Sequence, residues 1–261
     1  MDGKFITCKA KKKIHSYDLK NSGSGFITPF TTNNAISGII DNKLFFYGFP
    51  ELNSNDPQYF NKAKIGQRLD LISGNSIVGG GYPSSYFNHT YPGVSLLFND
   101  QIVYKDKIIQ SYALSDSIYF FNKDFIFEKA LKVYSPTQSP PSLYDHKIPE
   151  KESEKAYFDF YRSKGYGSMV IFNENILLRK FYYSNADADS FKSFQEYEKT
   201  IQVGFIIYDL ENESTIGIVK PTPEEIDQYP MVIANKGNIY VSKENQDEAE
   251  VDFYQLTWEE N

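Results

Sequence analysis

Arg179 stands inside an otherwise apolar run, Asn-Ile-Leu-Leu-Arg-Lys-Phe-Tyr-Tyr, residues 175–183. An arginine in a buried strand needs a carboxylate partner or an open cavity, because an unpaired buried charge is costly. A structural ion pair and a ligand-facing cation are therefore its two chemistries. A second group lies in Tyr-Pro-Ser-Ser-Tyr-Phe-Asn-His-Thr-Tyr-Pro-Gly, residues 82–93. Tyr82, Tyr86 and Tyr91 crowd there with Phe87 and His89 between Pro and Gly. Exposed aromatics on a rigid frame make platforms for sugars or peptides, and the same residues can cap a core. Arg179, Tyr82, Tyr86, His89 and Tyr91 form the expected ligand-binding set.

Other chemistries find little support. His15, His89 and His146 lack ligand spacing and Cys8 is the single cysteine, so no zinc site, cofactor or internal disulfide is expected. Asp187 and Asp189 alternate in Asn-Ala-Asp-Ala-Asp-Ser, but a calcium loop needs more oxygen donors at set offsets, so a solvated loop is expected. There is no Gly-x-Ser-x-Gly elbow, no phosphate-cradling loop and no dinucleotide fingerprint. The Gly-rich stretches 22–25 and 79–83 read as turns or connectors. Acidic residues gather in 149–155 and 221–225, both loop-like, and no catalytic residue is assigned.

The net charge of −7 argues against a nucleic-acid partner, which requires a basic face. The lysines at 9, 11, 12 and 13 read as a solvated strand end. No run approaches the 18 apolar residues of a membrane span. A monomer is expected, with a small molecule, glycan or peptide as ligand.

The elements that would position these residues repeat. Residues 37–49, 94–106, 168–183 and 231–244 each read as strand, polar turn, strand. The turns are assigned to Asp41-Asn42, Asn99-Asp100, Asn173–Asn175 and Asn235–Asn238, residue types that tolerate positive φ. A second element, an Asp-Leu strand before a polar turn, recurs at Asp18, Asp70 and Asp209, with a degenerate copy at Asp124. The high aromatic content, 16% with 21 Tyr and 21 Phe, suits pleated surfaces. A repeating unit of roughly 45–55 residues built from four short strands predicts a β-propeller blade. The expected fold is a single all-β domain over 1–261 with about five visible antiparallel four-stranded blades, in groups 1–30, 36–78, 94–135, 165–220 and 231–257. A β-sandwich is the alternative. Residues 135–165 read as a surface insertion.

The order of these segments resembles a known group. Gln67–Pro83, Tyr166–Ser184 and Val203–Val219, followed by 231–260, are similar to successive segments of exported lipoproteins of Gram-negative bacteria known only as six-bladed β-propellers of unknown function. The resemblance implies six blades and a cell-envelope home, in the periplasm or on the outer-membrane surface, and brings no catalytic residues. The chain as written opens in mid-blade without an export signal. Ring closure between the termini, or an N-terminally truncated member of that group, would account for this. The functional expectation is a non-enzymatic recognition module with its ligand at the channel mouth. A glycan-active hydrolase or lyase using loop carboxylates is the alternative.

Overall fold

The computed structural model describes residues 27–29, 36–50, 52–53, 56, 58–87, 99–135, 165–187, 190–221, 226, 230–235, 238–244 and 251–256. They form an all-β protein with a few short helical turns. The first sheet holds β1 (Ile27–Pro29), β2 (Ile36–Ile40), β3 (Lys43–Pro50), β4 (Gly66–Asp70) and β5 (Ser76–Gly79). The second runs β6 (Asn99–Tyr104), β7 (Lys107–Tyr112), β8 (Ser117–Asn122), β9 (Phe127–Lys132). The third runs β10 (Tyr166–Phe172), β11 (Ile176–Tyr183), β12 (Gln202–Asp209), β13 (Ser214–Val219). The last holds β14 (Val232–Asn235), β15 (Asn238–Glu244) and β16 (Val251–Leu256). Every pairing is antiparallel.

The first strands of successive sheets meet one another, β2 against β6, β6 against β10 and β10 against β14. Core clusters fill the spaces between neighbouring sheets. Ile109, Ile118 and Phe120 of the second sheet pack with Leu177, Phe181 and Ile206 of the third. Leu178, Phe205 and Ile207 of the third pack with Val232, Ile239 and Val241 of the last. Inner strands packed side by side, with sheets stacked around them, are a β-propeller rather than two sheets face to face. Among the described residues there are four such sheets, not five or six. The expected first blade, 1–30, lies outside the described residues except for β1, which pairs with β3 and widens the first sheet. Residues 136–164 of the insertion also lie outside them.

Tight turns occur where short polar loops were expected. Asp41 and Asn42 both take positive φ, as do Asn173 and Glu174. This is the mirror-image turn geometry that matches strand twist in a hairpin. The hairpin of the second sheet departs from expectation. Its turn is Lys105-Asp106, with Lys105 at φ 53°, and Asn99-Asp100 open the strand instead. Asn and Asp suit turns by local propensity, but here both are buried, and the Asp100 carboxyl accepts a bond from the Met169 amide of the third sheet. The Asp-Leu element is confirmed at Asp70 and Asp209, whose Oδ1 atoms accept backbone N–H bonds from Ile72 and Ser73 and from Glu211 and Asn212. Its copy in the second sheet is Asn122 rather than Asp124. Asn122 Oδ1 accepts from Asp124 and Ile126, and Asn122 pairs with Lys107 as Asp70 pairs with Lys43.

That turn carries Phe125 at φ 59°, and its ring is a wedge between the first two sheets. A Cβ added to Gly79 would clash with Phe125 Cβ. Contact this close forces a backbone shift. Gly79→Ala is expected to destabilise by roughly 1–3 kcal/mol, read by urea denaturation. Because the clash includes Phe125 Cβ, which alanine keeps, a double-mutant cycle with Phe125→Gly should recover much of that loss.

Candidate functional site

The connections divide the molecule into two faces. One holds the tight turns of 41–42, 71–75, 105–106, 123–126, 173–175 and 210–213. The other, the long-connection face, holds the short connection 113–116 and the described parts of the connections 51–65, 80–98, 133–165, 184–201 and 220–231. The inner strands β6, β10 and β14 begin on this second face, and polar groups gather at their heads.

Asn99, Asp100 and Gln101 open β6 and are buried. Asp100 Oδ1 accepts from the Gln101 amide at 2.9 Å and Oδ2 from the Met169 amide of β10 at 2.5 Å. The Tyr47 hydroxyl of β3 bonds the same carboxyl. Lys180 of β11 is nine-tenths buried, and its ammonium donates to the Pro230 carbonyl, just before β14, at 3.4 Å. The strand makes room for it at Gly167, where a Cβ would lie 2.6 Å from Lys180 Cε. Burial pushes the Asp100 carboxyl above the usual carboxylate range, while the two amides, Tyr47 and the Lys180 charge oppose that rise. Burial, then the Asp100 charge, pushes the Tyr47 hydroxyl up as well, so it stays protonated and donating. A relay of amides continues sideways. Gln110 donates to Gln101 Oε1 at 2.8 Å, and Gln101 donates to Ser37 Oγ at 2.9 Å in the first sheet.

Of the sequence-expected residues, Arg179, Tyr82 and Tyr86 lie on the same face. Arg179 has no exposed surface. Its guanidinium donates to Ser111 Oγ (3.1 Å), Val133 O (2.5 Å), Tyr112 O (3.4 Å) and Ser115 O (2.6 Å). It also stacks on the Tyr166 ring at 3.7 Å, and the Tyr166 hydroxyl donates to Asp116 at 2.7 Å. Burial lowers the Arg179 pKa to about 10, with the neighbouring Tyr166 and Asp116 resisting, so it stays charged at neutral pH. Its partners are carbonyls of the neighbouring sheet, with the carboxylate one residue removed. Tyr82 and Tyr86 are buried with Phe60 and Tyr112 in an aromatic cluster, ring centroids 4.8–5.8 Å apart. The Tyr86 hydroxyl accepts from the Leu114 amide at 2.8 Å. Tyr82 and Tyr86 cap the core between the first two sheets. His89 and Tyr91 lie outside the described residues, as do Cys8, His15, His146 and Asp189.

Sequence reading missed Asp100, Gln101, Lys180 and Tyr47. A signal existed, since Lys105-Asp106 offers an alternative turn that moves Asn99–Gln101 into the strand. Among the described residues no three His, Cys, Asp or Glu side chains group as metal ligands. No helix in them is long and apolar enough to cross a membrane.

Two outcomes follow from these contacts. Arg179→Lys keeps the charge but not the planar fork, and should cost about 2–4 kcal/mol in denaturant unfolding. Asp100 titrates above its unfolded value, so its ionised form weakens the fold above that raised pKa. That penalty disappears as pH falls toward the ordinary carboxylate value of about 4. Asp70 and Asp209 are held low by backbone N–H bonds, and the stability they add is lost only at pH values below the ordinary one. Melts between neutral pH and about pH 4 should therefore show a stability rise on acidification that Asp100→Asn flattens.

Similar folds are known. A member of the DUF4221 family from Bacteroides vulgatus is similar over 85% of this chain and 63% of its own, at 14% identity and a TM-score of 0.59. The acylaminoacyl peptidase of Pyrococcus horikoshii is similar over 93% of this chain and 33% of its own, at 13% identity and a TM-score of 0.44. The chain thus spans less than two thirds of the length of either. No family model matches the chain, and no curated protein matches it.

Proposed function

We propose that the chain is a β-propeller recognition module that binds its ligand on the long-connection face, at the heads of the inner strands, without transforming it. The observation that carries this reading is the asymmetry of the connections. One face is closed by tight turns, while at the other the described ends of longer connections lie with the buried Asp100, Tyr47, Lys180 and Gln101. Rigid scaffolds place binding residues on such loops, while fold alone assigns no chemistry. The cluster supplies a cation, a carboxyl, a hydroxyl and amides, a set suited to a polar ligand such as a glycan or peptide. Arg179, Tyr82 and Tyr86 then support the site from beneath. His89 and Tyr91, from the connection 80–98, are proposed as its aromatic contacts. A cell-envelope location rests on the sequence resemblance and is tested by fractionation.

The binding experiment is a calorimetric titration with neutral oligosaccharides, acidic oligosaccharides and short peptides, each followed by product analysis. The expected result is saturable binding of one class with the ligand recovered intact, weakened about tenfold or more by Lys180→Met and by His89→Ala with Tyr91→Ala. Release of a cleaved glycan would replace this reading with the hydrolase or lyase. Folded protein that binds none of the three classes would overturn it.

A further inference from the structure

Two cations stand side by side on β11, and only one of them is satisfied by the protein. Arg179 faces the second sheet and finds four acceptors there. Lys180 points to the opposite face. It is nine-tenths buried, and an ammonium carries three donors. Among the described residues its only acceptor is the Pro230 carbonyl, at a long 3.4 Å, and it forms no ion pair. The Tyr182 ring lies 5.5 Å from it, centroid to Nζ. The Asp100 carboxyl feels the Lys180 charge without pairing with it, and its own oxygens accept from the Gln101 and Met169 amides and bond the Tyr47 hydroxyl. A buried ammonium with spare donors is costly. Its stem crosses Gly167, and Gly167 and Ser168 are themselves partly exposed, so the ammonium sits at the head of β10 on the long-connection face.

We infer that the spare donors of Lys180 hold a carboxylate of the ligand, and that seating it draws a proton from solvent onto Asp100. This rests on the long-connection face being the binding face. An anion accepts from the spare donors and also neutralises the buried charge, which a neutral carbonyl does not. Once seated, it takes up the Lys180 charge that helps keep Asp100 ionised, and it sets a like charge beside that carboxyl. Burial already pushes the Asp100 carboxyl up, so both changes favour its neutral form. The protonated Asp100 gains an O–H, and the ligand carboxylate can accept from it. Among the described residues the groups facing Asp100 are the Tyr47 hydroxyl of β3, the Lys180 ammonium of β11, and the Met169 and Gln101 amides of β10 and β6. Tyr47 stays protonated and the new anion holds the Lys180 proton in place, so Asp100 is the group that titrates. Asp100 therefore titrates higher in the complex than in the free protein. Binding strengthens as pH falls through that window and is weakest where Asp100 is ionised in both states.

The test pairs each acid with an uncharged counterpart, glucuronate with glucose and N-acetylglutamate with N-acetylglutamine. Each is titrated calorimetrically into the full chain from neutral pH down to about pH 5, where the acids remain ionised. Repeating the titrations in two buffers of different ionisation enthalpy reads the protons taken up. At least one acid should bind about tenfold or more tightly than its counterpart. That binding should take up protons, with affinity rising by up to about tenfold per unit of falling pH. The acid that binds names the source of the carboxylate, a sugar acid or an acidic amino acid. Lys180→Met should erase the preference for the acid. Asp100→Asn should bind it at neutral pH at least as tightly as the unmodified chain, without proton uptake. Circular dichroism checks that both variants fold, and where Asp100→Asn does not, the uptake on the unmodified chain decides. Equal binding of acids and counterparts, or acid binding without proton uptake at any pH, would overturn the inference and leave the recognition reading standing. Binding of none of the four would also overturn it, while the recognition reading falls only if the oligosaccharides and peptides of its own test fail too.

Discussion

The guanidinium of Arg179 has no path to water, and the middle of the molecule is built around that constraint. A buried cation is tolerable only when its donors meet acceptors of good geometry. Those acceptors come from the end of β7, the connection to β8 and the end of β9, while the Tyr166 ring at the start of β10 covers the guanidinium face. One side chain on β11 thus sets where four segments of two sheets stop or start. The backbone bonds nearby are consistent with this. The Val133 amide donates to Asp116, the Tyr166 amide to Ala113 and the Tyr182 amide to Gly165. Val133 and Tyr166, which flank residues 136–164, are both held at this neck.

From the neck the two faces follow. The tight-turn face repeats one local solution, an Asx side chain capping two backbone amides at Asp70, Asn122 and Asp209. Inter-sheet ion pairs such as Arg68–Asp124 and Lys123–Asp41 also lie there. Exposed pairs of this kind contribute little, about 0–1 kcal/mol each, so register and packing hold that face. The long-connection face is organised differently. Its polar groups are buried and shared between sheets, so each depends on how its neighbour is placed. Low dielectric makes such a network rigid when satisfied and costly when broken.

The strands and most turns are legible in the sequence because their causes are local. Alternation of apolar residues, and Asn or Asp where φ must be positive, are properties of adjacent residues. The two misassigned turns show where local reasoning stops. Asn99-Asp100 has the composition of a turn and serves as the head of an inner strand, because the Met169 amide of another sheet binds Asp100. Asp124 has the composition of the repeat, but Asn122 holds its register, because strand pairing with Lys107 decides the position. Arg179 was legible as a residue needing partners. That the partners would be carbonyls of the preceding sheet was not.

By itself, then, the sequence determined an all-β chain of repeated hairpins and a buried arginine that had to be satisfied. These follow from short-range periodicity, turn chemistry and the cost of burying charge. The tertiary structure alone decided the number of described sheets and the side on which the tight turns lie. It also decided the meeting of Asp100, Tyr47 and Lys180 at the heads of the inner strands. Residues so far apart along the chain become neighbours only when sheets pack against one another, and no local pattern records which sheet will lie beside which.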